Sequence, residues 1–188
     1  MSEYDPLLSQ LPTDGVQVVF LVACLLVVVI VALYSQHLGV PPMDSSRAGR
    51  KAILDLLPEQ PNGPIYDLGS GWGGLAFAIA ARYPDQRVVG IELSPVPYAV
   101  SRLRQLVQRR PNLSLQRANF LDVPLGNAGA ATCYLMGPIM ERLGEKLRRE
   151  LKPGTIVVSH GFAFPNWSPA RQTTTQSLSP APVYRYEV

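Results

Sequence analysis

The hydrophobic positions of the chain fall into two regimes. Over residues 16–34 they run almost without a break, VQVVFLVACLLVVVIVALY, with no charge and Gln17 as the one strongly polar residue. From residue 44 onward, short apolar runs alternate with stretches of helical period. Ala48, Ala52, Ile53, Leu56 and Leu57 share one face, with Arg50, Lys51 and Asp55 opposite, which predicts an amphipathic helix. Residues 65–68, 87–93, 113–118, 130–136 and 155–159 predict strands. Residues 75–81, 97–109 and 139–151 predict the helices between them. Residues 183–188 alternate and predict a last, antiparallel edge strand, whereas the polar, proline-bearing residues 173–182 predict a loop. Strands alternating with helices imply an α/β fold with a mostly parallel sheet covered on both faces.

The first regime changes the domain picture. About 20 apolar residues suffice to cross the hydrocarbon core as a helix. The expected organisation is an N-terminal tail (1–15), a transmembrane helix (16–34), a linker (35–43) and a catalytic domain (44–188). A buried helix or a cleaved signal peptide are the alternatives, although no basic segment precedes the run. The tail carries Glu3, Asp5 and Asp14 and no Lys or Arg, while Arg47, Arg50 and Lys51 follow the run. The positive-inside rule then predicts a single-pass membrane protein with its domain on the cytoplasmic side. Gly39-Val40-Pro41-Pro42 reads as a stiff joint, and Asp44, Ser45 and Ser46 offer helix caps.

Charge and cysteine usage narrow the chemistry. The formal net charge is +3, which by itself selects no partner. Arg102, Arg104, Arg109 and Arg110 are balanced by Glu141, Glu145 and Glu150, and no aromatic residues interleave the basic ones, so no nucleic-acid partner is expected. His37 and His160 stand alone, and Cys24 and Cys133 lie far apart in apolar runs. No metal site is expected, and both cysteines read as buried reduced thiols.

The chemistry gathers at Ile65-Tyr66-Asp67-Leu68-Gly69-Ser70-Gly71-Trp72-Gly73-Gly74. A strand, a glycine-dense turn and a helix start form a nucleotide site, because glycine permits close ligand approach and the helix presents free N–H groups. Gly69, Gly71 and Gly74 satisfy G-x-G-x-x-G, with Glu92 about twenty residues on, which also fits a dinucleotide. Asp67, two residues before the first glycine, is ill-suited to a pyrophosphate and suited to a ligand bearing positive charge.

Taken in order, the D-x-G-x-G-x-G run 67–73, Glu92 ending the second strand, Asn119-Phe120 after the third and Leu151-Lys152-Pro153-Gly154 before the fifth resemble class I S-adenosylmethionine-dependent methyltransferases. The resemblance implies a Rossmann-like methyltransferase sheet and S-adenosyl-L-methionine as cofactor. Gly69, Ser70, Gly71 and Gly73 would wrap its methionine part, and Asp67 would support that loop and the ammonium end. Glu92 would accept from both ribose hydroxyls, and Asn119 with Phe120 would meet the adenine.

A narrower likeness is carried by Ser45-Ser46, by Glu92-Leu93-Ser94-Pro95 with Ser101-Arg102, and by Phe162, Phe164, Pro165, Trp167 and Pro169 after the fifth strand. These resemble the membrane-anchored protein-lysine methyltransferases that modify the ATP synthase c subunit and the adenine nucleotide translocase. Trp72, Ser94, Gly161 and Ala163 depart from that pattern. The likeness implies a membrane-protein substrate, with lipid or small-molecule methyl transfer and a non-catalytic cofactor-binding module as alternatives. Gly137, Pro138, Phe164, Pro165 and Trp167 are the candidates for the acceptor site, and no general base is assigned. His160 reads as a strand-end structural residue rather than a base.

Overall fold

The structure, a computed structural model, describes residues 13–38, 46–177 and 179–188. Its elements are α1 (Thr13–Leu38), α2 (Arg47–Leu56), β1 (Ile65–Leu68), α3 (Gly74–Arg82), β2 (Val88–Glu92), α4 (Pro95–Val107), β3 (Leu113–Arg117), β4 (Ala130–Cys133), α5 (Ile139–Glu150), β5 (Ile156–His160), β6 (Arg171–Thr174) and β7 (Pro182–Glu187).

The central strands are buried on both faces and split their side chains by the two-residue period of a strand. Ile65, Val88, Ile156 and Val158 join Ile53, Leu75 and Ile79 in one core, under α2 and α3. Tyr66, Leu68, Val89, Ile91 and Val157 join Met140, Leu143 and Leu147 in the other, under α5. On α2 the buried residues are Gly49, Ile53 and Leu56, one helical stripe, and Ser46 caps its start by accepting from Gly49 N at 3.1 Å.

The sheet runs β3-β2-β1-β4-β5-β7-β6. Strands β1 to β5 are parallel, and β7 runs antiparallel to both β5 and β6. The expected antiparallel last strand is present, but it is not the edge. It lies between β5 and β6, and the edge is β6, which includes Thr173 and Thr174 of the expected loop. Sequence RQTT carries no apolar alternation because β6 packs little of itself against a core.

The expected membrane span is corrected. α1 contains that stretch, and its described side chains, residues 15–26, 28 and 29, are all exposed. Among the described residues no helix is long and apolar enough to cross a membrane, so the single-pass placement with a cytoplasmic domain has no support. Glu3, Asp5, the joint 39–42 and the cap candidates Asp44 and Ser45 lie outside the described residues. Cys24 is exposed, against expectation, and Cys133 is buried as expected.

After β5 the chain is pinned by aromatic packing. Phe164 stands against Tyr186 edge-on with ring centroids 5.0 Å apart, and Trp167 lies 4.9 Å from the same ring. The Tyr186 hydroxyl accepts from Phe164 N at 3.0 Å. Tyr186→Phe leaves that buried N–H without its acceptor, an expected loss of about 1–3 kcal/mol in urea unfolding. An unchanged unfolding midpoint would show that the bond contributes nothing.

Candidate active site

The site is organised by the strand order. Between β1 and β4 the direction of progression reverses, and such a switch point opens a crevice beyond the C-terminal ends of the strands. The loop after β1 and the segment after β4 border it. The loop turns through three left-handed glycines, Gly69 (φ 78), Gly71 (φ 53) and Gly73 (φ 84). A side chain at Gly69 would also meet Leu135 at 2.9 Å, and one at Gly73 would meet Phe77 and Ser101 at 3.1 Å. Both conformation and crowding therefore demand glycine at these two positions.

Several hydrogen bonds hold the turn. Gly69 N and Ser70 N both donate to Ile91 O at 2.9 Å, and Gly73 N donates to Ser70 O at 2.8 Å. Glu92, half-buried at the end of β2, accepts from Gly71 N at 2.8 Å with one carboxylate oxygen and from Ser94 N at 2.7 Å with the other. Asp67 is 2 % exposed beneath the loop, and the Thr132 hydroxyl on β4 donates to its Oδ1 at 3.0 Å. Among the described residues the buried Ser70 hydroxyl has no hydrogen-bond partner, and it lies close to Gly90. Asn119 makes a turn, its Oδ1 accepting from Leu121 N at 3.0 Å, and half-buried Phe120 packs on the α5-side core.

These residues fit S-adenosylmethionine. A carboxylate offers about four lone-pair positions. Glu92 spends two on backbone donors and keeps two, the number a ribose diol needs. α3 begins at Gly73 with no side-chain cap, so its first N–H groups are available to a ligand carboxylate. Asp67 and Glu92 together make an anionic surround that suits the cofactor's cationic groups and disfavours a pyrophosphate.

The acceptor candidates separate. Gly137 and Pro138 are exposed, and a side chain at Gly137 would meet nothing within 4 Å. Pro165 is exposed, but Phe164 is buried against Gly144 and Tyr186, and Trp167 is half-buried beside them. The structure therefore places those two rings in packing under the α5 face. Trp72 is half-exposed and belongs to neither core.

Sequence reasoning missed Tyr134 and Thr132. Tyr134 follows β4 directly, level with Gly69 across the switch point, since Leu68 pairs with Cys133. Its ring lies 4.2 Å from that of His160, and Gly161 (φ 79) makes room for it: a side chain there would meet Tyr134 at 2.9 Å. Gly49 likewise makes room for His160, which a side chain would meet at 2.8 Å. Burial pushes the Tyr134 phenol up and holds the His160 imidazole below its ordinary value. Burial, with a smaller push from Asp67 and against a hydrogen bond from Ser159, raises the Cys133 thiol to about 12 and makes it unreactive. The useful signal for Tyr134 is positional: the first residue beyond the strand that flanks the switch point.

This fold and site define a class I methyltransferase whose cofactor is S-adenosylmethionine. A family model described as the ANTKMT methyltransferase domain matches residues 67–171, more than half of the chain, and the chain belongs to that family. It is 30% identical over 125 residues to a protein-lysine N-methyltransferase of Saccharolobus islandicus, covering 63% of this chain and 74% of that one. It is 30% identical over 134 residues to the mouse adenine nucleotide translocase lysine N-methyltransferase, covering 71% of this chain and 58% of that one. Among solved structures, an RNA methyltransferase from Salinibacter ruber in complex with S-adenosyl-L-homocysteine superposes with a TM-score of 0.67 at 26% identity, over 78% of this chain and 94% of that one.

A histidine kept neutral by burial contributes its full stability above its ordinary value of 6.5. That contribution falls as pH drops below 6.5 toward the lowered folded value, because the unfolded chain takes up the proton first. Urea unfolding of His160→Gln is therefore expected to lose less stability than the parent between about pH 7.5 and about pH 5. An equal loss in both would assign the pH dependence to other groups.

Proposed function

We propose that this chain transfers a methyl group from S-adenosylmethionine to the ε-amino group of a lysine in a protein. The observation that carries this reading is the 30% identity to the Saccharolobus protein-lysine N-methyltransferase, which extends over 74% of that protein. A membrane protein as the substrate is the finer form of the proposal. It rests on the likeness to the mouse translocase enzyme and requires no span in this chain.

The proposed roles are these. Gly69, Ser70, Gly71 and Gly73 shape the cradle for the methionine part of the cofactor. Asp67, held by Thr132, supports the cradle from below and faces the ammonium end. Glu92 presents its remaining lone pairs to the ribose hydroxyls, and Asn119 with Phe120 borders the adenine. When bound, the cofactor supplies an electrophilic methyl group on a sulfonium.

The chain then aligns a lysine nitrogen behind that methyl, and alignment alone can contribute several kcal/mol, about 7–11 in the best cases. The lysine must arrive neutral. Tyr134, its ring tilted against that of His160 beside the switch point, provides an aromatic wall that desolvates the ammonium and lowers its pKa. The exposed Gly137-Pro138 turn borders the entrance. Phe164 acts indirectly, by anchoring the loop that carries Pro165 and Trp167.

Incubation of the purified chain with trideuteromethyl-labelled cofactor and a cell extract tests the reading. Mass spectrometry is expected to find the label on lysine side chains, with Tyr134→Ala lowering the rate at least about tenfold. Label confined to RNA, lipid or small molecules would refute lysine as the acceptor.

A further inference from the structure

A groove of about 420 Å³ runs between α2 and the edge strand β6. Arg47, Lys51 and Asp55 line it from the helix, and Arg171, Thr173 and Thr174 line it from the strand. One end lies at the active edge of the sheet. Thr173 and His160 are both in register with Val183, so Thr173 is level with the end of β5 where His160 meets Tyr134. Arg47 is two residues from Gly49, whose backbone packs on His160. A chain lying in the groove would thus reach the acceptor site.

The charges in the groove are unbalanced. Lys51 pairs with Asp55 at 2.6 Å, both side chains being well exposed. Arg47 and Arg171 make no ion pair or side-chain hydrogen bond among the described residues. Among the described residues, two guanidinium groups with no ion pair therefore flank one cleft, and guanidinium matches carboxylate geometry in a bidentate manner. One wall is β6, which among the described residues pairs with β7 alone and offers its outer backbone edge to an extended chain. Among the described residues the lining includes no aromatic ring on which a nucleic-acid base could stack, which favours polypeptide over single-stranded RNA.

We propose that the α2–β6 groove binds an acidic stretch of the substrate polypeptide adjoining the acceptor lysine. This rests on the protein-substrate reading above. The groove selects the lysine by its neighbours, while the switch-point site performs the transfer.

The test uses two fluorescein-labelled peptides with a central lysine, flanked on each side by glutamates in one and by glutamines in the other. Anisotropy is measured on the full chain with S-adenosyl-L-homocysteine present. The glutamate peptide is expected to bind about fivefold to tenfold more tightly, as two exposed charge pairs would give. The double variant Arg47→Gln, Arg171→Gln is expected to lose that preference while binding S-adenosyl-L-homocysteine unchanged. Equal affinity for the two peptides, an unaffected double variant, or tighter binding of an oligouridine RNA that displaces the glutamate peptide would each overturn the proposal. Peptide preference is read without turnover, so its failure is distinct from a failure of lysine methylation, which the isotope label reads separately.

Discussion

The site depends on the carboxylate of Glu92 bridging two backbone donors, Gly71 N and Ser94 N. Hydrogen bonds to a charged group contribute about 1.5–3 kcal/mol each. Here they tie the crown of the loop after β1 to the segment that starts α4. The loop needs such bonds to hold its shape, since each of its three glycines loses more backbone entropy on folding than other residues do. Ile91 O assists by accepting from both Gly69 N and Ser70 N, so the end of β2 acts as the template on which the loop is moulded. Small residues complete the fit: Gly90 lies under the Ser70 side chain, and Ser101 on α4 lies against Gly73.

The double-sided core explains why this template is rigid. Each central strand sends alternate residues to opposite layers, so β1 and β2 are clamped from both sides and only their C-terminal ends are free to meet ligand. At that free edge the groups divide by role. Asp67 and Thr132 are buried and hold the cradle from behind. Tyr134 and Glu92 are partly exposed. His160 sits between, buried against Gly49, with its ring 4.2 Å from that of Tyr134.

Features encoded by neighbouring residues were legible in the sequence. The glycine spacing, Asp67 two positions upstream and Glu92 ending the next strand required no knowledge of tertiary contacts, and the structure brings them together. β6 was illegible because an exposed edge strand needs no hydrophobic alternation. The place of β7 inside the sheet was illegible because insertion beside β5 is decided by a strand pairing remote in sequence. The aromatic motif around Phe164 was visible, but its packing depends on Tyr186, which no local pattern links to it. The apolar run of α1 looked sufficient for a span on composition alone, but among the described residues no helix is long and apolar enough to cross a membrane. Tyr134 was overlooked because its significance comes from standing opposite Gly69 across the switch point.

Calorimetric titration of S-adenosylmethionine into the parent chain and Glu92→Gln tests the central claim most directly. An amide keeps the volume of the side chain but loses the charge and one acceptor oxygen. Glu92→Gln is expected to weaken binding by at least about tenfold, in line with loss of more than one charge-assisted hydrogen bond, and to lower the unfolding midpoint as the bridge is weakened. Equal affinity in the two proteins would contradict the account, because the loop would then be formed and the cofactor held without the Glu92 bridge.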